Sequence, residues 1–145
     1  NHGRLQGYRE TMHPKHISVN EDYIQAHEVS SIGSGYNMMD NLVDFDDPPT
    51  AGFPSRDIMA YGAIKAIRER GLRVPEDISI VGFDDIPLSK NMIPSLTTIR
   101  QPASEKGAKA VGALIDYLVD GKEMHSKVLD VELVVRNSTG PVKNP

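Results

Sequence analysis

Residues 50–85 read TAGFPSRDIMAYGAIKAIRERGLRVPEDISIVGFDD, and this stretch decides the fold. The short apolar segment 50–53 predicts a buried strand. Over residues 57–70 apolar side chains recur at helical spacing, with Ser55 expected as N-cap and Gly71 as the stop. Residues 78–83 are almost continuously apolar, which is typical of a parallel strand covered on both faces. Strand, helix and strand within about 30 residues predict a βαβ unit.

The flanking regions continue the same alternation of helix and strand. Periodicity predicts helices over residues 4–13, 34–45 and 104–120, the last one capped by Ser104. It also predicts a weak strand at 17–19, an extended segment at 96–99 and a half-buried or edge strand at 129–135. The resulting fold class is α/β, with an open, doubly wound parallel sheet.

Composition narrows the class of protein. The 145 residues are 39% hydrophobic and 25% charged, an ordinary globular balance, and they include no cysteine. No apolar run is long enough to cross a bilayer, and no secretory signal is visible, so a cytoplasmic location is expected. The net charge of −4 argues against direct phosphate binding by this stretch. Because the chain opens at Asn1 without Met, we expect it to be part of a longer polypeptide.

Polar residues follow the predicted strands at the edge where ligands of open α/β sheets bind. Asp84 and Asp85 could accept hydrogen bonds from sugar hydroxyls or pair with an arginine, or they could simply shape a turn. Arg56 could contact a ligand or be a solvated residue of the first helical turn, whereas Asp57 beside it is expected to be structural. Gln101 offers an amide to a ligand, or to the backbone of a bend.

The residues do not point to catalysis or to a metal. His13 and His16 are separated by Pro14 and do not share a helical face, and no further metal ligands are arranged near them. Glu76 and Asp77 follow Pro75 and are best explained as turn residues. There is no nucleophile elbow, phosphate-binding loop or dinucleotide-binding glycine motif. We therefore predict no enzyme activity and no cofactor.

Long motifs give the chain a family resemblance. They are Arg4-x-x-Gly7-Tyr8, Pro49-Thr50-Ala51, Asp57-x-Met59-Ala60-x-Gly62-Ala63, the run from Gly71-Leu72 through Val74-Pro75-Glu76-Asp77 to Asp84-Asp85, Pro94-x-Leu96-Thr97-Thr98-Ile99, Gln101-Pro102, Gly107, Ala110 and Glu132-Leu133-Val134-x-Arg136-x-Ser138. Across nearly its whole length the chain thus resembles the lactose/galactose-repressor family of bacterial regulators. The turn at Pro75 and the segment at Leu96 look like the repressors rather than the related periplasmic sugar-binding proteins.

The resemblance implies the periplasmic-binding-protein-like fold: two similar α/β subdomains hinged around an effector, preceded by a helix-turn-helix head. Residues 1–98 and 129–140 would form most of the second subdomain. Residues 99–128 would cross into the first subdomain and contribute a helix to it, and 141–145 would be a tail. The head and the rest of the first subdomain would lie outside this sequence.

The resemblance also implies the site. The effector contacts carry over at Arg4, Asp84 and Gln101, and the position that is often an amide in the family holds Arg56, which suits an anionic or phosphorylated effector or marks a site that has lost ordinary sugar binding. The expected partners are a sugar or phosphorylated sugar, operator DNA bound through the absent head, and a second copy of the chain. The dimer face would include Tyr61 and Met92, unless these are scattered surface hydrophobes.

Two other functions stay open at this point. A periplasmic sugar-binding protein of the same fold would carry a signal peptide upstream instead of a helix-turn-helix. A sugar-active enzyme on this fold would need a placed acid/base pair.

Overall fold

A computed structural model describes residues 2–141, so nearly all of the predicted tail lies outside the described residues. Within this part of the chain the α-helices are α1 (His2–Met12), α2 (Ile32–Val43), α3 (Asp57–Glu69) and α4 (Ala103–Asp120). The strands are β1 (Ala51–Gly52), β2 (Ser79–Asp84), β3 (Thr97–Arg100) and β4 (Glu132–Val134). Short 3-10 turns lie at His13–Lys15, Glu21–Tyr23 and Ser89–Asn91.

The four strands form one sheet in the order β1-β2-β3-β4. Strands β1, β2 and β3 are parallel, with Ala51 opposite Ser79 and Phe83 opposite Ile99. This confirms the predicted βαβ unit of β1, α3 and β2, but the prediction that its first strand is buried was wrong, because Ala51 is exposed and Gly52 only partly buried at the edge of the sheet. Strand β4 lies at the edge of the sheet, as its alternating pattern predicted, and it pairs antiparallel with β3, which the predicted parallel sheet did not include. The open sheet is therefore mixed, with one antiparallel edge strand added to a parallel core.

The ends of α3 are set by backbone geometry. Gly71 follows the helix with a φ of +76°, which confirms it as the residue that ends α3. The prediction that Ser55 caps the helix was wrong, because the chain stays extended through Arg56, which occupies the N-cap position without a side-chain cap. Ser55 instead points its hydroxyl at the sulfur of Met59, 3.4 Å away.

Three other expectations for local structure were wrong. Helix α2 begins two residues before Ser34 because Ser31 caps it, each serine hydroxyl accepting the other residue's backbone N–H. Ser104 lies inside the first turn of α4, whose N-cap is Pro102. Residues 17–19 form no strand, since no described strand pairs with them.

Helices α2 and α3 cross with their backbones almost touching. A Cβ atom on Gly35 would lie 2.1 Å from the carbonyl oxygen of Met59, and one on Gly62 would lie 2.0 Å from that of Ile32. Only glycine fits at either position, because both obstructing atoms belong to backbone. The hydrophobic core fills the space between this helix pair and the sheet, and its members are Met39, Leu42, Ala60, Ala63, Ile64, Ala66, Ile67, Val74, Ile78, Ile80, Met92 and Leu96.

Ser138 lies where the pairing of β2 with β3 begins, and it hydrogen-bonds to both strands. Its hydroxyl accepts the backbone N–H of Thr97 at 2.8 Å and donates to the carbonyl of Ile80 at 2.6 Å. Its own carbonyl accepts the N–H of Ile80 at 2.8 Å. A serine from beyond β4 thus joins the two central strands and is itself fully buried.

Helix α4 stands apart from this core. It ends at Gly121 in the left-handed region, as predicted, and none of its residues is buried. Val111, Ile115 and Leu118, from the stripe that predicted its apolar face, are all more than half exposed. The helix is therefore amphipathic, but within the described chain its apolar face is turned to solvent.

Candidate functional site

The carboxyl ends of β1, β2 and β3 meet at one edge of the sheet, because the three strands are parallel. Arg56 lies in the loop after β1, Asp84 is the last residue of β2, and Gln101 directly follows β3. The topology therefore brings three of the four predicted effector residues to one edge.

Asp84 and Gln101 are in direct contact. The amide Nε2 of Gln101 donates to Oδ1 of Asp84 at 2.6 Å, and both residues are partly buried. Asp84 has a φ of +128° and Asp85 one of +56°, values that non-glycine residues rarely adopt. The strand end is thus held in an unusual backbone conformation, which is common at ligand-binding positions.

Arg4 reaches the same edge from α1. Its guanidinium carbon lies 4.1 Å from the centre of the Phe83 ring, a cation–π contact, and Nη1 donates to the carbonyl oxygen of Ser55. These contacts fix a planar set of donors beside the ends of β1 and β2. Remaining N–H groups of this guanidinium are available to oxygens of a ligand.

Arg56 differs from Arg4, Asp84 and Gln101 in the contacts of its side chain. Its side chain is exposed and makes no hydrogen bond or ion pair with any residue in the described part of the chain. The loop after β1 therefore carries a positive charge that no described residue pairs with.

Asp85 takes one of the roles that the sequence left open for it, since it pairs with arginines. Its carboxylate accepts from Nε of Arg100 at 2.7 Å and from Nη2 of Arg136 at 2.6 Å. Burial by itself would raise the pKa of Asp85, but the hydrogen bonds from Arg136 and Arg100 outweigh it and hold that pKa below its ordinary value. Asp85 is therefore an anchor for the ends of β2, β3 and β4.

Asp57, expected to be structural, is buried and at the centre of a polar network. Its Oδ1 accepts from the hydroxyl of Thr98 at 2.5 Å, and its Oδ2 accepts from the hydroxyl of Ser89 at 2.5 Å and from the N–H of Ile86 at 3.1 Å. A Cβ on Gly82 would lie 2.2 Å from this carboxylate, so glycine is needed there. The only sign of this network in the sequence was Gly82, a glycine inside an otherwise apolar strand.

The two residues predicted for the dimer face are in different environments. Tyr61 on α3 is 39% exposed, whereas Met92 is 6% exposed and belongs to the core. Met92 is therefore a packing residue of this chain, because its side chain is directed inward beneath α3. The large exposed apolar residue of this segment is its neighbour Ile93, which is 77% exposed.

Residues 2–141 contain no group of three His, Cys, Asp or Glu side chains that could hold a metal ion. In the same residues, no helix combines the length and the apolar character that a bilayer crossing requires.

The chain is similar in sequence and in fold to known transcription regulators. The family model described as "Periplasmic binding protein-like domain" matches residues 1–139. The HTH-type transcriptional repressor CytR of Escherichia coli strain K12 is 41% identical over 140 residues, which are 95% of this chain and 40% of that repressor. This chain therefore spans about 40% of the length of such relatives.

Two solved structures share the fold and part of the sequence. A LacI family transcriptional regulator from Enterococcus faecium with bound ribose superposes with a TM-score of 0.87 at 32% identity, over 98% of this chain and 52% of that one. A sugar-binding LacI family regulator from Escherichia coli, complexed with phosphate, gives a TM-score of 0.81 at 33% identity, over 93% of this chain and 48% of that one.

Proposed function

We propose that this chain, which belongs to the periplasmic binding protein-like domains of the LacI/GalR family, senses a small molecule for a cytoplasmic transcriptional repressor. The repressor would bind operator DNA through a helix-turn-helix head, and the chain would catalyse no reaction. The observation that carries this proposal is the assembly of Arg4, Asp84 and Gln101 at the carboxyl edge of three parallel strands.

The chemistry of this edge suits a polyhydroxylated ligand. Asp84 supplies a carboxylate acceptor, Gln101 an amide, and Arg4 a fork of donors. A sugar hydroxyl can donate to Asp84 only at an oxygen that Gln101 does not saturate, or in place of Gln101. Sugar binding would therefore rearrange or share the contact between the ends of β2 and β3.

Arg56 favours a phosphorylated sugar over a neutral one. Its guanidinium is exposed and makes no ion pair with another described residue, so a ligand phosphate would not have to compete with an internal partner. Arginine binds phosphate through paired hydrogen bonds. A solved sugar-binding LacI family regulator from Escherichia coli is itself complexed with phosphate, an anion of the class proposed here.

The exposed α4 supports a division of the chain between two subdomains. Residues 1–98 and 129–140 would build the second subdomain, and 99–128 would carry α4 to the first, whose remaining strands would cover its apolar face. A ligand bound between the subdomains would favour one of two arrangements, and it changes DNA affinity only by its differential affinity for them.

The repressor would act as a homodimer, with α3 and the segment before β3 forming the contact. Tyr61, Leu88 and Ile93 are large apolar side chains left exposed on these elements. Sedimentation of the intact protein at micromolar concentration should give a dimer, and a monomer there would contradict this part of the proposal.

Calorimetric titration of the intact protein with pentoses, hexoses and their phosphate esters tests the proposed site. Asp84→Ala should abolish the binding of any sugar that the unmodified protein binds, while Glu76→Ala, on an exposed turn away from the edge, should leave it unchanged. Binding that survives Asp84→Ala would overturn the site. A signal peptide encoded upstream in place of a helix-turn-helix would assign the chain to a periplasmic sugar-binding protein instead.

A further inference from the structure

The Asp57 network links the first turn of α3 to the segment that follows the candidate effector residue Asp84. One carboxylate oxygen, Oδ1, faces β3 through Thr98. The other, Oδ2, holds the N–H of Ile86 and the hydroxyl of Ser89, both on the segment after β2. The two oxygens of one buried side chain therefore serve two different elements.

This segment needs an anchor because of the backbone before it. Asp84 and Asp85 both have positive φ values, a conformation that costs free energy and persists only when its surroundings enforce it. Asp85 is fastened from one side by Arg136 and Arg100. The bond from Ile86 N–H to Asp57 fastens the next residue from the other side, at 3.1 Å.

We infer that Asp57 is a positioning residue that fixes Asp84 and residues 86–92 relative to the start of α3. This inference rests on the proposed function for the importance of Asp84, but the contacts themselves involve no ligand. Asp57 adjoins Arg56 along the chain, and the segment it holds leads to the exposed side chain of Ile93. The network therefore connects the positions next to Arg56 and Asp84 with the segment that leads to Ile93.

The structure offers a matched pair of substitutions to test this role. Ser89 and Thr98 are both fully buried, and each donates one hydroxyl to Asp57 at 2.5 Å. Ser89→Ala removes the bond to the segment, and Thr98→Val removes the bond to the sheet. Asp57→Ala would leave two buried hydroxyls and the partly buried N–H of Ile86 without their acceptor, so the single-bond pair of substitutions is the milder test.

Amide hydrogen exchange of the intact protein, monitored residue by residue with NMR, shows which of the two substitutions loosens the segment after β2. In Ser89→Ala the Ile86 amide should exchange about tenfold faster relative to the Ile80 amide of β2, because its segment has lost a buried bond. In Thr98→Val that ratio should stay at its original value, whatever the change in global stability measured by urea unfolding.

Equal exchange patterns in the two variants would overturn the inference and make Asp57 an ordinary core hydrogen-bonding residue. An unchanged ratio in Ser89→Ala would overturn it as well. Neither measurement uses a sugar or DNA, so a failure of the proposed function would leave the exchange result interpretable, and a failed exchange test would leave the sugar titrations valid.

Discussion

Arg136 and Asp85 form an ion pair with 2.6 Å between Nη2 and Oδ1, and the two side chains are only 16% and 9% exposed. Arg136 also donates to the carbonyl oxygen of Leu96 at 2.7 Å. The pair therefore joins the end of β2 to the start of β3 and to the residues after β4. It stabilises the strand ends on which the candidate effector site is built.

Replacing Arg136 by Met should lower the free energy of unfolding by roughly 1.5–3 kcal/mol, because Asp85 is then left nearly buried with a single arginine. Arg100→Met, which removes the more exposed partner, should cost clearly less than Arg136→Met, because the ion pair of an exposed arginine is screened by solvent. Urea unfolding at neutral pH measures both. Equal losses would show that burial does not distinguish the two ion pairs.

The depressed pKa of Asp85 also predicts a pH dependence. Its pKa lies lower in the folded chain than in the unfolded one, so the carboxylate stabilises the fold fully above about pH 4 and progressively less as the pH falls toward the folded pKa. Asp85→Asn should therefore cost less stability at pH 3 than at pH 6. Urea unfolding at both values checks this, and a cost that does not depend on pH would contradict it.

Gly62→Ala should destabilise the chain by about 1–3 kcal/mol or more, because the new methyl group meets the backbone of α2. Gly112→Ala is the matched control, since that glycine also lies inside a helix but has open space around it. The control should be neutral or stabilising by about 0.5–1 kcal/mol through helix propensity. Thermal unfolding of the two variants decides whether the close helix crossing exists in solution.

Arg56→Gln should weaken the binding of a phosphorylated sugar at least tenfold while changing that of the neutral sugar little, because only the phosphate needs the cation. Arg73→Gln, on a turn where Arg73 pairs with Asp77, controls for the loss of one positive charge elsewhere. Calorimetry of the intact protein gives both affinities. Equal losses for the two sugars would remove Arg56 as a determinant of ligand charge.

The 145-residue chain alone should show no specific affinity for operator DNA, given its net charge of −4. Gel-shift titrations at several salt concentrations test this directly. Specific binding that tightens as salt is lowered would mean that this chain itself contacts phosphates.

Amides of α4 should exchange much faster than those of β2 in a dilute monomer of this chain, because no residue of α4 is buried. The comparison is between residues 106–119 and 79–84, at a concentration where sedimentation shows no association. Equal protection would show that α4 needs no partner, and the division of the chain into subdomains would then be wrong.

Local patterns were enough to predict the βαβ unit, the four helices and the edge strand, because Gly71, the apolar run before Asp84 and the alternation in β4 act within a few residues. Helix starts were less predictable. Ser31 and Ser34 are both good caps, and the choice between them depends on a reciprocal bond that spacing alone does not reveal.

Other features depend on contacts between distant residues. The family resemblance suggested Met92 for the dimer face, but its side chain packs in the core of this chain. Residues 17–19 have strand composition, yet a strand requires a paired neighbour. The network at Asp57 joins residues up to 41 positions apart, so no local pattern could have predicted it.

Because Ser138 bonds to both β2 and β3, the hydrogen bonding of these two strands is complete only after residue 138 has been synthesised. The ribosome delivers residue 138 long after β2 and β3, yet its hydroxyl and carbonyl supply bonds to Ile80 and Thr97 between those strands. While the chain is still being made, those two residues have polar backbone groups without their final partners. The nascent sheet therefore stays open to chaperones or to mispairing until residue 138 has left the exit tunnel.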